Sequence, residues 1–283
     1  MKIRIVDAFT ARPFTGNPAG VVLLGTDGFP DDDRMQRLAA EVNLSETAFA
    51  HPLPPGEQAD WALRWFTPVT EVDMCGHATL ATAHVLLSTG AAAGGIRFAT
   101  RSGVLRSAPA ADDAITLDFP TAPLTAVKAP RALADALGAP VLSAYDTGAQ
   151  VGDLLVELPD EGTVRVLSPD LVAIRRLPHR GLIVTARAED AESGAADDGA
   201  AGGYDFVSRF FGPVVGIPED PVTGSAHTAL APFWSARLGR NELTGLQVSA
   251  RTGLVRTSLR GDRTLLTGHA VTVIEGELLA PLT

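Results

Sequence analysis

The chain opens on an alternating run, MKIRIVDA, in which Ile3 and Ile5 share a face, and a two-residue period predicts a strand. The apolar stretch 20–24 predicts a second strand, and FTGNPAG between them carries the Gly, Asn and Pro of turn chemistry. The period then changes. Over 31–42 acidic residues come first and Met35, Leu38, Ala39 and Val42 recur at helical spacing, so a helix is expected. LSETAFAH and 61–67 again predict strands. The segment 76–87 is apolar nearly all round, with Ala78, Leu80, Ala81, Ala83, Val85 and Leu86, the composition of a buried helix. Short strands are expected at 95–100, 104–108 and 114–120, and the prolines at 120, 123 and 130 mark a crossover between domains.

The second half repeats this style. A short helix is expected at 130–137, strands at 153–158 and 181–186, and a helix opened by Ser168-Pro169-Asp170 with proline in its first position. The acidic, low-complexity stretch 188–203 is expected to be a solvated loop. An Ala- and Leu-rich helix over 224–238 and strands at 246–251, 254–258 and 271–274 complete the pattern.

The two halves share a faint repeat. EVDMCGHATLATA and EDPVTGSAHTALA align Glu71 with Glu219, Gly76 with Gly224, and Ala78, Ala81 and Ala83 with Ala226, Ala229 and Ala231. Each copy is a loop ending in glycine that opens a small-residue helix. The repeat predicts two similar domains, 1–120 and 121–283, each a sheet wrapped around a central buried helix. The last strand is free to pack back on the first domain.

Composition narrows the possible partners. The 283 residues are 46% hydrophobic and 20% charged, enough for a sizeable core. Lys plus Arg is 23 against 33 for Asp plus Glu, a net charge of −10, and no basic cluster is present. Nucleic acid and anionic membrane are therefore poor partners. No apolar stretch reaches the roughly 18 residues of a membrane span, and no secretory signal opens the chain, so a cytoplasmic protein is expected.

The two glycine turns are the first candidate chemistry. A helix N-terminus offers unpaired backbone N–H groups and a partial positive charge, and glycine lets a ligand approach. Gly76 and Gly224, one per domain across a cleft, would clamp a small carboxylate-bearing molecule; ordinary tight turns are the bland alternative. His77 stands in the first turn of one helix, where the dipole favours a neutral imidazole able to relay a proton. Ser225 holds the equivalent place in the other, as a cap or a substrate contact, and Asp220 precedes it in the loop. Glu46 in LSETAFAH sits among apolar neighbours, where a carboxylate serves as a general acid/base; from the segment alone an exposed edge glutamate is the commoner case. QVSAR places Gln247, Ser249 and Arg251 on one strand face, lining the cleft or facing solvent, and Asn17 turns toward the cleft or serves its own turn.

The lone cysteine, Cys75, forms no internal disulfide, and its counterpart in the repeat is Thr223. A two-thiol racemase is thus incomplete, and Cys75 reads as a small buried residue. The histidines form no metal-ligand spacing, so no catalytic metal is expected.

The blocks DAFTARPFTGNPAGVVLL, LSETAF, RWFTPVTEVDMCGHATL, RFFGPVVGIPEDPVTGSAH and QVSARTG run through essentially the whole chain and resemble the PhzF-like isomerase family of phenazine biosynthesis. The resemblance implies an α/β fold like that of diaminopimelate epimerase: two pseudo-symmetric domains, each a rolled, mostly antiparallel sheet around a central helix, with the active site between them. It implies that Glu46 moves the proton, that His77 and Asp220 are catalytic, and that Ser225, Gly76 and Gly224 contact substrate. The implied activity is a cofactor-free isomerisation of a small cyclic or unsaturated amino or hydroxy carboxylate. Members often form homodimers. An epimerase that adds a second base to Glu46, and a metabolite-binding protein that kept the fold, are the alternatives.

Overall fold

A computed structural model describes residues 1–189 and 203–280. The chain divides into two units, Met1–Phe119 with Thr267–Thr283, and Pro120–Leu266.

In the first unit β1 (Lys2–Ala8) runs antiparallel to β2 (Asn17–Leu23), and β2 runs parallel to β3 (Glu46–Pro52). The crossover between β2 and β3 carries α1 (Asp32–Val42), whose Met35 and Ala39 pack on Val22, Phe49 and Phe66. Asn43 closes this helix in the left-handed conformation, at φ 52°, with its N–H on the Ala39 carbonyl. β4 (Trp61–Phe66) is antiparallel to β3, and the short β5 (Glu71–Val72) folds back on it.

Next comes α2 (Gly76–Ser88), buried on nearly every side and packed on β1, β2 and β3. Its composition allows this. Alanines let the strands approach, and the Thr79 and Thr82 hydroxyls donate to the Cys75 and Ala78 carbonyls at 2.5 and 2.7 Å, so no hydroxyl is stranded. β6 (Ile96–Thr100) joins β4 in parallel, and β7 (Gly103–Pro109) and β8 (Ile115–Pro120) extend the sheet antiparallel.

The second unit begins with β9 (Thr125–Val127), α3 (Arg131–Leu137), β10 (Ser143–Asp146), α4 (Gly148–Val151) and β11 (Asp153–Glu157). It continues through α5 (Glu161–Val166), α6 (Leu171–Ile174), β12 (Gly181–Arg187), β13 (Phe206–Gly212) and β14 (Ile217–Asp220). α7 (Gly224–Leu238), β15 (Glu242–Gln247), β16 (Gly253–Arg260) and β17 (Arg263–Gly268) follow. α7 is the buried helix here. Its Ala226, Ala229, Leu230, Phe233 and Trp234 pack with Leu155, Ile183, Phe206 and Phe210. The last strand, β18 (Ala270–Glu277), belongs to the first unit and pairs antiparallel with β1.

The strand grammar repeats. β1–β2 antiparallel, β2–β3 parallel, β3–β4 antiparallel, β4–β6 parallel and β6–β7 antiparallel match β10–β11, β11–β12, β12–β13, β13–β15 and β15–β16 in turn. The glutamates of the sequence repeat have a structural use. Arg64 grips Glu71 with two bonds of 2.7 Å across β4–β5, and Arg209 grips Glu219 with bonds of 2.7 and 2.9 Å across β13–β14.

Two expectations need correction. Pro169 does not open α6: Asp170 is the N-cap, its carboxylate accepting from the Val172 and Ala173 N–H groups, and proline stands just before it. The strand expected at 246–251 lies earlier, as β15, and ends at Gln247. A turn follows, closed by the Thr252 N–H on the Ser249 carbonyl. Gln247, Ser249 and Arg251 therefore do not share a strand face. The acidic stretch expected as a loop lies, over 190–202, outside the described residues. Among the described residues no helix is long and apolar enough to cross a membrane.

Candidate active site

Glu46 is the first residue of β3, an interior strand between β2 and β4, and only 8% of it is exposed. The edge-strand reading is therefore wrong, because pairing on both sides takes the segment off the sheet edge. His77 is the second residue of α2 and 3% exposed. Its Nε2 stands 3.1 Å from Glu46 Oε2. The approach lies off the line of a good hydrogen bond, and neither atom has a well-aligned partner. The two atoms thus lie close while each keeps hydrogen-bonding capacity for a third molecule.

The other ring nitrogen is held from behind. Asn17 Nδ2 lies 3.1 Å and Cys75 Sγ 3.6 Å from His77 Nδ1. Asn17 is fully buried at the start of β2, and its contact in the structure is with the histidine. When its amide N–H donates to Nδ1, the ring proton sits on Nε2, facing the carboxylate. A turned-over amide, with Oδ1 accepting, serves the charged ring equally well.

Burial opposes charging His77, yet Cys75 and Glu46, facing its two ring nitrogens, outweigh burial and raise its pKa well above the ordinary value. Burial, with Glu46 nearby, also pushes the Cys75 thiol up to about 11, so near neutral pH the thiol is uncharged. The neutral imidazole expected from the helix dipole is corrected accordingly: the groups at its two ring nitrogens outweigh a helix end. The Cys75 pKa also fixes its reactivity. At pH 8 about one thiol in a thousand is ionised, so folded protein should react with iodoacetamide at least ~100-fold more slowly than urea-unfolded protein. Equal rates by mass spectrometry would contradict this.

Glu46, Cys75 and His77 bring one donor atom each within 4.8 Å of one another, the raw material of a metal site. The geometry suits it poorly. Glu46 approaches Nε2 and Cys75 approaches Nδ1, so one ion cannot take all three through a single ring nitrogen. A carboxylate, an imidazole and a thiol in line are better placed to hold and pass protons.

In the second unit the loop before α7 is tied down by side chains. Asp220, 5% exposed, accepts the Thr223 hydroxyl at 2.6 Å. Gln247 accepts the Thr223 N–H at 2.8 Å and donates to the Asp220 carbonyl at 2.7 Å, and Ser249 donates to the same carbonyl at 3.2 Å. Asp220 therefore anchors its own loop, and Thr223, at the place of Cys75 in the repeat, spends its hydroxyl on that anchor. Gly224 and Ser225 are the first residues of α7, as Gly76 and His77 are of α2. Arg251 lies in the turn after β15, half-buried.

His227 is fully buried, bonds the Thr223 carbonyl through Nδ1 at 2.8 Å, and is pushed by burial down to about 4. Between pH 6.5 and about 4 the unfolded chain binds a proton that the folded chain refuses. Stability should therefore fall as acid is added across that window, by ~3 kcal/mol from this group. Urea unfolding at several pH values should show a shallower acid slope in His227→Gln than in wild type; identical slopes would contradict the assignment.

The sequence pattern missed Asp153 and Arg180. Arg180 bonds the Asp153 carboxylate at 3.0 and 2.7 Å and donates to Ser225 Oγ at 2.9 Å. A usable signal was present: Asp153 opens one apolar run and Arg180 immediately precedes another, and these become parallel neighbours with Asp153 opposite Gly181.

Two units of one mixed α/β design, each with a buried helix opening from a glycine turn, define an epimerase-like class of fold. A crystal structure of a PhzF-family phenazine biosynthesis protein from Enterococcus faecalis matches with a TM-score of 0.86 at 38% identity over 99% of both chains. A hydroxyproline epimerase from Agrobacterium vitis, 13% identical, shares the fold with a TM-score of 0.62 over 98% of this chain and 91% of its own. The family of phenazine biosynthesis-like proteins, PhzC-PhzF, matches residues 6–276, and this chain belongs to it. An uncharacterized isomerase of Pseudomonas aeruginosa is 45% identical over 96% of each chain.

Proposed function

We propose that the protein is a cofactor-free isomerase in which Glu46 takes a proton from an acidic carbon of a small cyclic or unsaturated amino or hydroxy carboxylate and returns it to another carbon of the same molecule. The observation that carries this reading is the buried Glu46 carboxylate, whose Oε2 lies 3.1 Å from His77 Nε2 without an aligned hydrogen-bond partner. A base in that setting is kept from bulk water and is free to meet a C–H group. His77, raised in pKa by Cys75 and Glu46, stabilises the carboxylate before transfer and can supply a proton toward negative charge that develops on the substrate. Asn17 holds the ring that does this. Membership of the family and the name of the isomerase relative support the reaction class.

The reading departs from two-base epimerisation at Thr223. That hydroxyl is committed to Asp220 at 2.6 Å and is far too weak an acid to mirror a thiol. Asp220 is proposed as a positioning residue, and Ser225 as a hydrogen-bond donor to a carboxylate.

The test is proton exchange in deuterated water, followed by NMR over a panel of small unsaturated and cyclic carboxylates that includes dihydro-hydroxyanthranilate. Label uptake or double-bond migration that depends on Glu46 is the expected result. No exchange across the panel, with ligand-induced thermal stabilisation equal in wild type and Glu46→Gln, would assign the protein to metabolite binding.

A further inference from the structure

The second unit contains a side-chain chain that no resemblance assigned: Asp153, Arg180, Ser225. Asp153 is fully buried at the start of β11. It fixes the Arg180 guanidinium through two bonds, from Nε at 3.0 Å and from Nη2 at 2.7 Å. The second hydrogen of Nη2 goes to Ser225 Oγ at 2.9 Å. The guanidinium also lies over the Phe210 ring, 5.4 Å from its centre. That ring occupies the space where a side chain on residue 181 would begin: a Cβ on Gly181 would fall 2.2 Å from Phe210 Cζ. The fork is thus held on one edge by a buried carboxylate and on one face by an aromatic ring, so its direction is set before any ligand arrives.

We propose that Arg180 is a positioning residue that makes Ser225 a dedicated hydrogen-bond donor, and so selects ligands bearing a carboxylate at the start of α7. The chemistry is that of one hydroxyl. By donating to Oγ, Arg180 occupies its acceptor side; the hydroxyl proton is then directed to an acceptor, and a carboxylate is the strongest acceptor a small metabolite offers. A serine without Arg180 would accept and donate indifferently. The inference rests on the reading of Ser225 as a ligand contact, and adds the residue that acts through it.

Anthranilate, a planar amino carboxylate, is the probe. Its dissociation constant would be measured by titration calorimetry for wild type, Ser225→Ala, Arg180→Lys and the double variant. Each single change should weaken binding about tenfold, and Arg180→Lys should add little once Ser225 is alanine. Asp153→Asn should weaken binding only while Ser225 is present. Equal weakening by Arg180→Lys in both serine and alanine backgrounds would overturn the proposal, as would unchanged binding with a lowered melting temperature, or no binding of anthranilate to wild type. Binding is read without turnover. A protein that shows the coupling but exchanges no protons would fail as an isomerase and leave Arg180's role standing; exchange without the coupling would do the reverse.

Discussion

Replacing Glu46 by Gln should lower turnover by about 10³-fold and leave substrate binding nearly intact. Glutamine keeps the shape and the contact with His77 but cannot accept a proton, and general acid–base groups of this kind contribute ~10²–10⁴-fold. The same change removes one of the two groups, Cys75 and Glu46, that raise His77, so its pKa should fall. Two readouts check this together: the rate of label uptake, and the His77 ring shifts in an NMR pH titration. A variant with an unchanged rate, or an unmoved His77, would remove Glu46 from the mechanism.

Alanine at Gly181 should cost ~3 kcal/mol of stability. The added Cβ would fall 2.2 Å from Phe210 Cζ and 3.1 Å from Asp153 Oδ1. The ring cannot move aside freely, because it is 97% buried in the core around α7 and lies against Arg180. Overpacking a filled core costs about 1–3 kcal/mol, and here a buried ion pair is disturbed as well. Urea unfolding would give the value. A loss below ~0.5 kcal/mol would mean that the ring relaxes easily and that Arg180 is less rigidly set than its contacts imply.

Much of this architecture was legible where local pattern and tertiary role agree. α2 and α7 announce themselves because each is apolar or small on every face, which only a helix at the centre of a unit can sustain. The glycine turns were legible too, since the repeat preserves Gly76 and Gly224. Pattern failed where a side chain answers to a distant partner. Gly245 interrupts the alternation of ELTGLQ because the Phe206 ring fills its side-chain space, so the strand reads as starting too late. Asn17 looked like turn chemistry because its partner, His77, is 60 residues away. Glu46 taken alone resembles a surface glutamate; its burial follows from β2 and β4 closing on both sides of β3. Arg180 gave no sign of Ser225, 45 residues on, because three separate elements bring Asp153, Arg180 and Ser225 together.

The central claim is that one carboxylate carries one proton from carbon to carbon. The most direct test is a single turnover in ordinary water of dihydro-hydroxyanthranilate deuterated at the carbon that loses its proton. Glu46, nine-tenths buried and paired with His77, should hand part of that deuterium to the product. Product free of deuterium at the receiving carbon, its new proton drawn wholly from solvent, would contradict the account and point to two separate acid and base groups.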